Sequence, residues 1–277
     1  IVKEAAERTW LNRAPPDLLR RIERVRLYAP NLRNVALQVP DYYFLTTDTP
    51  NLMRWLVDEL RVQGVDVRLS QSFVHASAAA DPRRGRWHVP GVGHARWIVG
   101  ADGAKSRVAQ RFGLGGVRDF LYGIEYEFAG LALAEPDALH CYVSRTLAPG
   151  YIGWAAQNPT GVQLGLAFRH RASRTGTPDI DTLRARVGPA LGIPDGLPAD
   201  AIRAGLIPCG GPVSAMSRPG VILTGDAAGI VSPVTAGGIH SAWKHGWAVG
   251  EAIARHLRHG GLSPERVAQQ AVPRYRS

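Results

Sequence analysis

Apolar residues recur along the chain with two different periods, and together these periods predict a mixed α/β protein. Where apolar residues recur every three or four positions, as Leu52, Trp55 and Leu56 do, they indicate a helix with one buried face. On this pattern we predict helices over 16–24, 49–61, 179–191, 239–257 and 264–271.

Shorter apolar runs bounded by turn signals predict strands. Those before residue 100 are predicted at 25–28, 35–39, 65–69, 73–76, 86–89 and 96–99. A later group is predicted at 120–132, 138–146, 150–157 and 161–169, with a further strand at 201–207. Because short turns join the consecutive strands of the later group, we expect them to form an antiparallel sheet.

Composition narrows the class of protein without identifying it. With 277 residues and 45% hydrophobic content, the chain is long enough for one large or two modest domains. It has no apolar run of about 18 residues, which a membrane-spanning helix needs. Cys141 and Cys209 form neither a metal-binding nor a disulfide pattern. We therefore expect a cytoplasmic globular protein without a bound metal.

The chain carries a net charge of +10, and its only lysines are Lys3, Lys105 and Lys244, so arginine dominates. An excess of cations attracts anionic partners, among them nicotinamide phosphates, acidic lipid surfaces and nucleic acids. The arginines are scattered and do not alternate with aromatic residues along one stripe, so we expect no nucleic-acid partner. Peripheral membrane contact and the oligomeric state stay open.

Residues 224–246 are the most informative segment of the sequence. A short apolar strand, 221–223, leads into Gly225-Asp226, then a loop of small residues, then Gly237-Gly238 at the start of a helix. Glycine lets a ligand approach the backbone closely, and Asp226 offers an acceptor to a sugar-like hydroxyl. A helix N-terminus stabilises an electron-rich ligand atom. The order of these features fits a backbone that closes on a flat cofactor.

A second segment, 99–114, repeats this arrangement. The strand that ends at Val99 meets the tight turn Gly100-Ala101-Asp102-Gly103, and Ser106 is placed to begin a helix. Either segment alone is also typical of an ordinary connection between a strand and a helix. The two in this order resemble the internal fingerprints of the FAD-dependent oxidoreductases that include aromatic hydroxylases and geranylgeranyl reductases.

This resemblance implies FAD as the cofactor and NAD(P)H as the electron donor. In that family the Asp-Gly segment lies close to the cofactor pyrophosphate. The aspartate of the Gly-Asp segment holds the flavin ribityl chain, and the following helix points at the pyrimidine edge of the flavin. Carried over by position, the cofactor-binding residues are Asp102, Gly103, Gly225, Asp226, Ala227, Gly229, Pro233, Gly237, Gly238 and Ile239. No catalytic side chain is assigned.

A third segment, 149–154, resembles the part of geranylgeranyl reductases and flavin halogenases that lines the substrate cavity with an aromatic pair. The resemblance implies that Tyr151 and Trp154 contact a hydrophobic small-molecule substrate. The spacing departs from the family pattern, since two residues separate Tyr151 from Trp154. Tyrosine and tryptophan are also common in plain sheet packing. The identity of the substrate therefore stays open.

Flavoproteins of this family normally begin with a strand, a G-x-G-x-x-G turn and a helix, which bind the pyrophosphate. Gly91-Val92-Gly93 and the glycines from 113 to 116 are not followed by a pattern that opens a helix. We expect that an N-terminal segment of roughly 30–60 residues, a βαβ unit or somewhat more, is missing. On that expectation, this chain alone holds part of an FAD site.

The predicted fold class is α/β, with an incomplete FAD/NAD(P)-binding Rossmann-like domain interleaved with an antiparallel β-sheet substrate domain. The predicted FAD-binding pieces are 46–119 and 208–260, the substrate-domain pieces are 25–45 and 120–207, and 261–277 is a C-terminal helical segment. We expect an oxidoreductase that reduces an isoprenoid alkene. Alternatives are oxygenation or halogenation of an aromatic or polyketide ring, and a flavin-free fragment that binds a hydrophobic ligand.

Overall fold

The computed structural model describes residues 1–81, 83, 85–170, 179–232 and 237–272. The strands are β1 Leu19–Ile22, β2 Arg24–Tyr28, β3 Asn34–Gln38, β4 Phe44–Thr47, β5 Ser77–Ala78, β6 Trp87–Val89, β7 Gly93–Ala95, β8 Ile98–Gly100, β9 Phe120–Ala129, β10 Ala138–Val143, β11 Ile152–Gln157, β12 Gly161–His170, β13 Ala201–Pro208, β14 Ser217–Arg218 and β15 Val221–Leu223. The α-helices are α1 Lys3–Arg8, α2 Thr49–Val62, α3 Arg107–Arg111, α4 Ile180–Leu191, α5 Gly238–His259 and α6 Pro264–Gln270. Short 3₁₀ helices lie at Trp10–Arg13, Pro16–Leu18 and Gly225–Ala228.

The chain forms two compact units. The first contains Ile1–Arg68 and Leu121–Leu206, and the second contains Leu69–Phe120 and the chain from Ile207 onward. Residues 46–68, which we predicted to lie with the cofactor-binding pieces, fall in the first unit, where β4 pairs with β1 along its whole length. The cofactor-binding and substrate-binding roles of the two parts stay predictions.

The first unit is built on a sheet of seven strands in the order β13-β9-β12-β11-β10-β2-β3. β11 pairs antiparallel with β10 and with β12, as the short turns predicted, but β10 pairs parallel with β2. The sheet is therefore mixed rather than antiparallel throughout. Helix α4 covers one face, where Leu183 packs with buried residues of the strands such as Phe128, Leu164 and Leu166.

The sequence pattern was wrong at three predicted elements. The helix over 16–24 is a 3₁₀ turn followed by β1, because hydrogen bonding to β4 outweighs the helical spacing of its apolar residues. The predicted strands at 65–69 and 73–76 do not form. In the part of the chain that the structure describes, they pair with no other strand, and Leu69 and Val74 are exposed.

The second unit is organised around the parallel pair β8 and β15. Val221, Ile222 and Leu223 lie opposite Ile98, Val99 and Gly100, and the Thr224 amide then donates to the Gly100 carbonyl at 2.9 Å. β14 completes this three-stranded sheet beside β15, and β5, β6 and β7 form a separate three-stranded sheet. Because β8 and β15 are parallel neighbours, the turns that follow them leave the sheet at the same edge.

A buried histidine ties the end of β15 to two helices. His245 of α5 is fully buried, with its Nδ1 2.8 Å from the Thr224 hydroxyl and its Nε2 2.9 Å from the Ala268 carbonyl of α6. A carbonyl only accepts, so Nε2 carries the proton and Nδ1 accepts from the Thr224 hydroxyl. Burial lowers the pKa of His245, and the Ala268 carbonyl opposes this only in part. The imidazole is thus held neutral.

This tie predicts a specific dependence of stability on pH. Because the pKa of His245 is lower in the folded protein than in the unfolded chain, the unfolded chain takes up the proton first as the pH falls through about 6.5. The free energy of unfolding should therefore decrease as the pH is lowered below about 6.5. In His245→Gln this drop should be smaller than in the wild type, as measured by urea denaturation at matched pH values. His259→Gln removes an exposed imidazole at the end of α5 and serves as the control. An equal drop in wild type and His245→Gln would contradict the assignment.

Candidate functional site

The two glycine-aspartate segments meet at one edge of the β14-β15-β8 sheet. Gly100 ends β8 two residues before Asp102, and Leu223 ends β15 directly before Thr224 and Gly225-Asp226. Gly100 is required by packing within the chain, because a Cβ there would lie 2.7 Å from Leu223 and 2.9 Å from Val108. The residues that we placed in one site from their motifs are therefore brought together by strand pairing.

Asp102 uses its carboxylate to begin helix α3. One oxygen accepts from the Ser106 hydroxyl at 2.6 Å, and the other accepts from the amides of Arg107 and Val108 at 2.7 and 3.1 Å. Ser106 in turn caps the helix by accepting from the Ala109 amide. The turn around Gly103, whose φ of +81° favours glycine, is thereby fixed. A ligand at this segment would meet an ordered turn, and the binding role of Asp102 and Gly103 stays a prediction.

Two glycines of the second segment are explained by the chain itself. Gly225 and Gly229 have φ values of +58° and +68°, which side chains rarely adopt. A Cβ on Gly229 would lie 2.4 Å from the Gly211 carbonyl oxygen, and one on Gly225 would lie 3.2 Å from Ala242 of α5. Close approach at these positions therefore occurs between segments of the protein, and Ala227 beside them is buried.

Asp226 is the polar group that this geometry leaves available. Its side chain is half-buried beside the start of α5, where a Cβ on Gly238 would lie only 3.1 Å from Asp226 Oδ1. In the described ranges, no hydrogen bond or ion pair reaches the carboxylate, and burial raises the pKa of Asp226. A partly desolvated carboxylate gains stability from hydroxyl donors, which a ribityl chain carries.

The N-terminus of α5 adds a second feature that suits a flavin. This helix is 22 residues long, and its N-cap, Gly237, provides no side chain to cap the first amides. A long helix whose first turn has no acidic residue presents partial positive charge to an electron-rich ligand edge. Gly238 and the exposed Ile239 begin the helix, whereas the predicted residue Pro233 lies outside the described residues. The donor set therefore fits FAD.

A small cavity lies where the two segments meet. It has a volume of about 150 Å³, and its walls include Lys105 and Ser106 from the first segment and Ala227 from the second. Pockets for complete small-molecule ligands usually measure roughly 300–1,000 Å³, so this one accommodates only part of a dinucleotide. A larger cavity of about 310 Å³ lies between the end of α5 and the start of α6 and involves neither segment.

The aromatic residues predicted to contact substrate lie in the first unit. Trp154 is in β11, and Tyr151 directly precedes that strand. Burial raises the pKa of Tyr151 to about 12, so its hydroxyl stays protonated at neutral pH. The Trp154 indole donates to Glu125 of β9 at 3.2 Å. Because sequence spacing assigned no role to Glu125, this partner was missed, although two glutamates within a largely apolar strand, Glu125 and Glu127, were a signal of it.

From the sequence, neither Thr224 nor His245 was assigned a cofactor-binding or catalytic role. His245 was one of several histidines along the chain, and only the fold shows that it reaches the residue before Gly225. Among the residues that the structure describes, no group of three His, Cys, Asp or Glu side chains is arranged to hold a metal ion. Over the same residues, no helix combines the length and the apolar character needed to cross a membrane.

The chain is similar to curated relatives and to solved structures of flavoproteins. It is 30% identical over 261 residues to digeranylgeranylglycerophospholipid reductase 2 of Methanopyrus kandleri, a match that covers 87% of this chain and 63% of that relative. The fold is similar to a geranylgeranyl bacteriochlorophyll reductase-like protein from Thermoplasma acidophilum, with a TM-score of 0.78 and 18% identity over 98% of this chain and 70% of the other. It is also similar to p-nitrophenol 4-monooxygenase from Pseudomonas putida, with a TM-score of 0.68 and 16% identity over 97% of this chain and 71% of the other.

The chain thus spans less than two thirds of the length of that curated relative. The two structural matches are likenesses of fold. The family model described as "FAD binding domain" matches residues 22–265, which is most of the chain and includes both glycine-aspartate segments. These findings confirm the resemblance and the α/β fold class predicted from the motifs. The chain belongs to the FAD binding domain family.

Proposed function

We propose that the protein acts as an FAD-dependent oxidoreductase that reduces carbon–carbon double bonds of an isoprenoid compound with electrons from NAD(P)H. The observation that carries the proposal is the half-buried Asp226 carboxylate beside the start of α5, at the edge where both glycine-aspartate segments leave the sheet. When bound, FAD accepts a hydride from a reduced nicotinamide and passes it to the substrate.

The residues of the second unit would bind and orient the cofactor. Asp226 would accept hydrogen bonds from the ribityl hydroxyls, and the amides at Gly238 and Ile239 would stabilise negative charge at the pyrimidine edge of the flavin. The ordered turn at Asp102 and Gly103 would approach the pyrophosphate. The exposed cations Lys105 and Arg107 would attract the phosphates of the nicotinamide donor.

Two observations support an isoprenoid over a phenol as substrate. Several relatives with detectable sequence similarity carry the name digeranylgeranylglycerophospholipid reductase. In addition, the sheet face that carries Trp154 also carries Leu27 and Cys141, which are apolar. A phenol site needs a base or polar clamp, and β9 places two carboxylates on that face, Glu125 and Glu127. Glu125 already accepts from Trp154 and Arg203, and Glu127 already accepts from Arg203 and Asn158. Burial raises the pKa of the Cys141 thiol to about 11, so it is no base either.

Oxygenation of an aromatic ring is the second candidate, because the fold is shared with p-nitrophenol 4-monooxygenase. The two candidates are separated by supplying the purified protein with FAD and NAD(P)H and either geranylgeraniol without oxygen or p-nitrophenol in air. We expect NAD(P)H oxidation that depends on the alkene, with a product heavier by two hydrogen atoms for each reduced double bond. Oxidation that occurs only with the phenol and oxygen would contradict alkene reduction and favour the alternative.

Asp226 provides a direct test of the cofactor site. In Asp226→Ala, the loss of charge-assisted hydrogen bonds should weaken FAD binding by roughly 1–3 kcal/mol, as measured by flavin fluorescence titration. Asp226→Asn keeps one acceptor oxygen without the charge and should bind FAD with intermediate affinity. Asp58→Ala removes an exposed carboxylate from α2 in the first unit and is the control. An FAD titration of Asp226→Ala that matches the wild type would remove the proposed role of this residue.

A further inference from the structure

A transverse row of residues crosses the large sheet of the first unit on one face. Val35 of β3 lies opposite Leu27 of β2, Leu27 lies opposite Cys141 of β10, and Cys141 lies opposite Trp154 of β11. Trp154 in turn lies opposite Gly165 of β12. Residues directly opposite each other on paired strands point to the same face. The row therefore leads from aliphatic side chains to an indole.

This face is opposite to the one that packs on α4. Gly153, which precedes Trp154, points toward α4, since a Cβ there would lie 2.8 Å from Leu183. Successive side chains in a strand alternate between faces, so Trp154 points away from α4. Val35 and Leu27 at the other end of the row are 55% and 37% exposed. The row thus begins with accessible apolar surface at Val35 and Leu27 and becomes buried at Cys141, which is 8% exposed.

The indole of Trp154 lies across the neighbouring strand. A Cβ built on Gly165 would be 2.0 Å from both Cε2 and Cζ2 of the indole and 2.6 Å from its Nε1. The indole therefore occupies the space that a side chain at residue 165 would need. Because Gly165 has no side chain, the ring extends from β11 over β12 toward β9, which is the next strand in the sheet.

A carboxylate and a guanidinium hold the far edge of the indole. Trp154 Nε1 donates to Glu125 Oε2 at 3.2 Å, and Arg203 Nη1 donates to Glu125 Oε1 at 3.2 Å. Arg203, on the edge strand β13, also pairs with Glu127. The Glu125 side chain is only 21% exposed, so its charge is stabilised chiefly by these contacts. Four neighbouring strands thus contribute to one arrangement.

We propose that Glu125 is a positioning residue that holds the Trp154 indole over Gly165, so that the ring ends an apolar wall against which the hydrocarbon chain of the substrate extends. Three spacings of about 4.8 Å separate β3 from β11, so the wall between Val35 and Trp154 is about 14 Å long. Without Glu125 the indole would turn onto the apolar row and shorten it. This inference rests on the proposed function, because it assigns a specificity device to the substrate side of that reaction.

The test compares how tightly geranylgeraniol and octanol bind to the purified protein without FAD or nicotinamide. The wild type should prefer the long alcohol by on the order of ten-fold or more, since its longer hydrocarbon chain buries more apolar surface. Glu125→Ala should lose most of this preference, and Glu125→Gln, which keeps an acceptor for the indole, should retain it. Glu127→Gln shares Arg203 as a partner but does not contact the indole, so it should bind both alcohols as the wild type does.

Gly165→Ala tests the same arrangement with Glu125 and Arg203 intact. The new methyl group should displace the indole and remove the preference for the long alcohol. Near-ultraviolet circular dichroism provides a spectroscopic readout of the Trp154 indole, and subtracting the spectrum of Trp154→Phe isolates its signal. This signal should change in Glu125→Ala and in Gly165→Ala. It should not change in Glu127→Gln. Urea denaturation verifies that each variant is folded.

A preference for geranylgeraniol that persists in Glu125→Ala and Gly165→Ala would overturn the proposal, as would a wild type that binds the two alcohols equally. Failure of the proposed function gives a different result. The wild type could show the preference for geranylgeraniol, and Glu125→Ala and Gly165→Ala could lose it, while no NAD(P)H-dependent reduction is detected. That result would support the apolar wall and contradict the assignment as a reductase.

Discussion

The parallel pairing of β8 with β15 is the constraint on which the candidate cofactor site depends. Each strand has only three residues, yet their register places Gly100 opposite Leu223, and the Thr224 amide extends the ladder to the Gly100 carbonyl. Two segments more than a hundred residues apart in sequence are thereby brought to one edge of a sheet. The Gly100 position admits no side chain because Leu223 and Val108 pack against it, so the first glycine of the fingerprint is needed for this pairing.

The polar groups around this edge differ in whether they form hydrogen bonds within the protein or are available to a ligand. The Asp102 carboxylate accepts from amides at the start of α3, and His245 hydrogen-bonds to Thr224 and Ala268. Both side chains therefore stabilise the protein's own turns. Asp226 differs, because its carboxylate is half-buried and burial raises its pKa. Motif residues that look equivalent in the sequence thus divide into those that build the site and the one best placed to bind a ligand.

Motif and periodicity predicted much of this structure, and the failures have physical causes. Helices α2, α4, α5 and α6 are amphipathic or have clear start signals, so local pattern sufficed for them. The stretch at 16–24 failed because its apolar spacing is compatible with both helix and strand, and pairing with β4 decided the outcome. Contacts between distant residues, such as Trp154 with Glu125 or Thr224 with His245, depend on register across several elements and could not be obtained from spacing.

Hydrogen–deuterium exchange with and without FAD shows whether the segments around Asp102 and Asp226 form one FAD-binding edge. The amides of 100–109 and of 224–230 should gain protection together over the same range of FAD concentration. The exposed edge strand β3 of the other unit should be unaffected. Protection of only one of the two segments, or of neither while FAD is bound, would contradict the account.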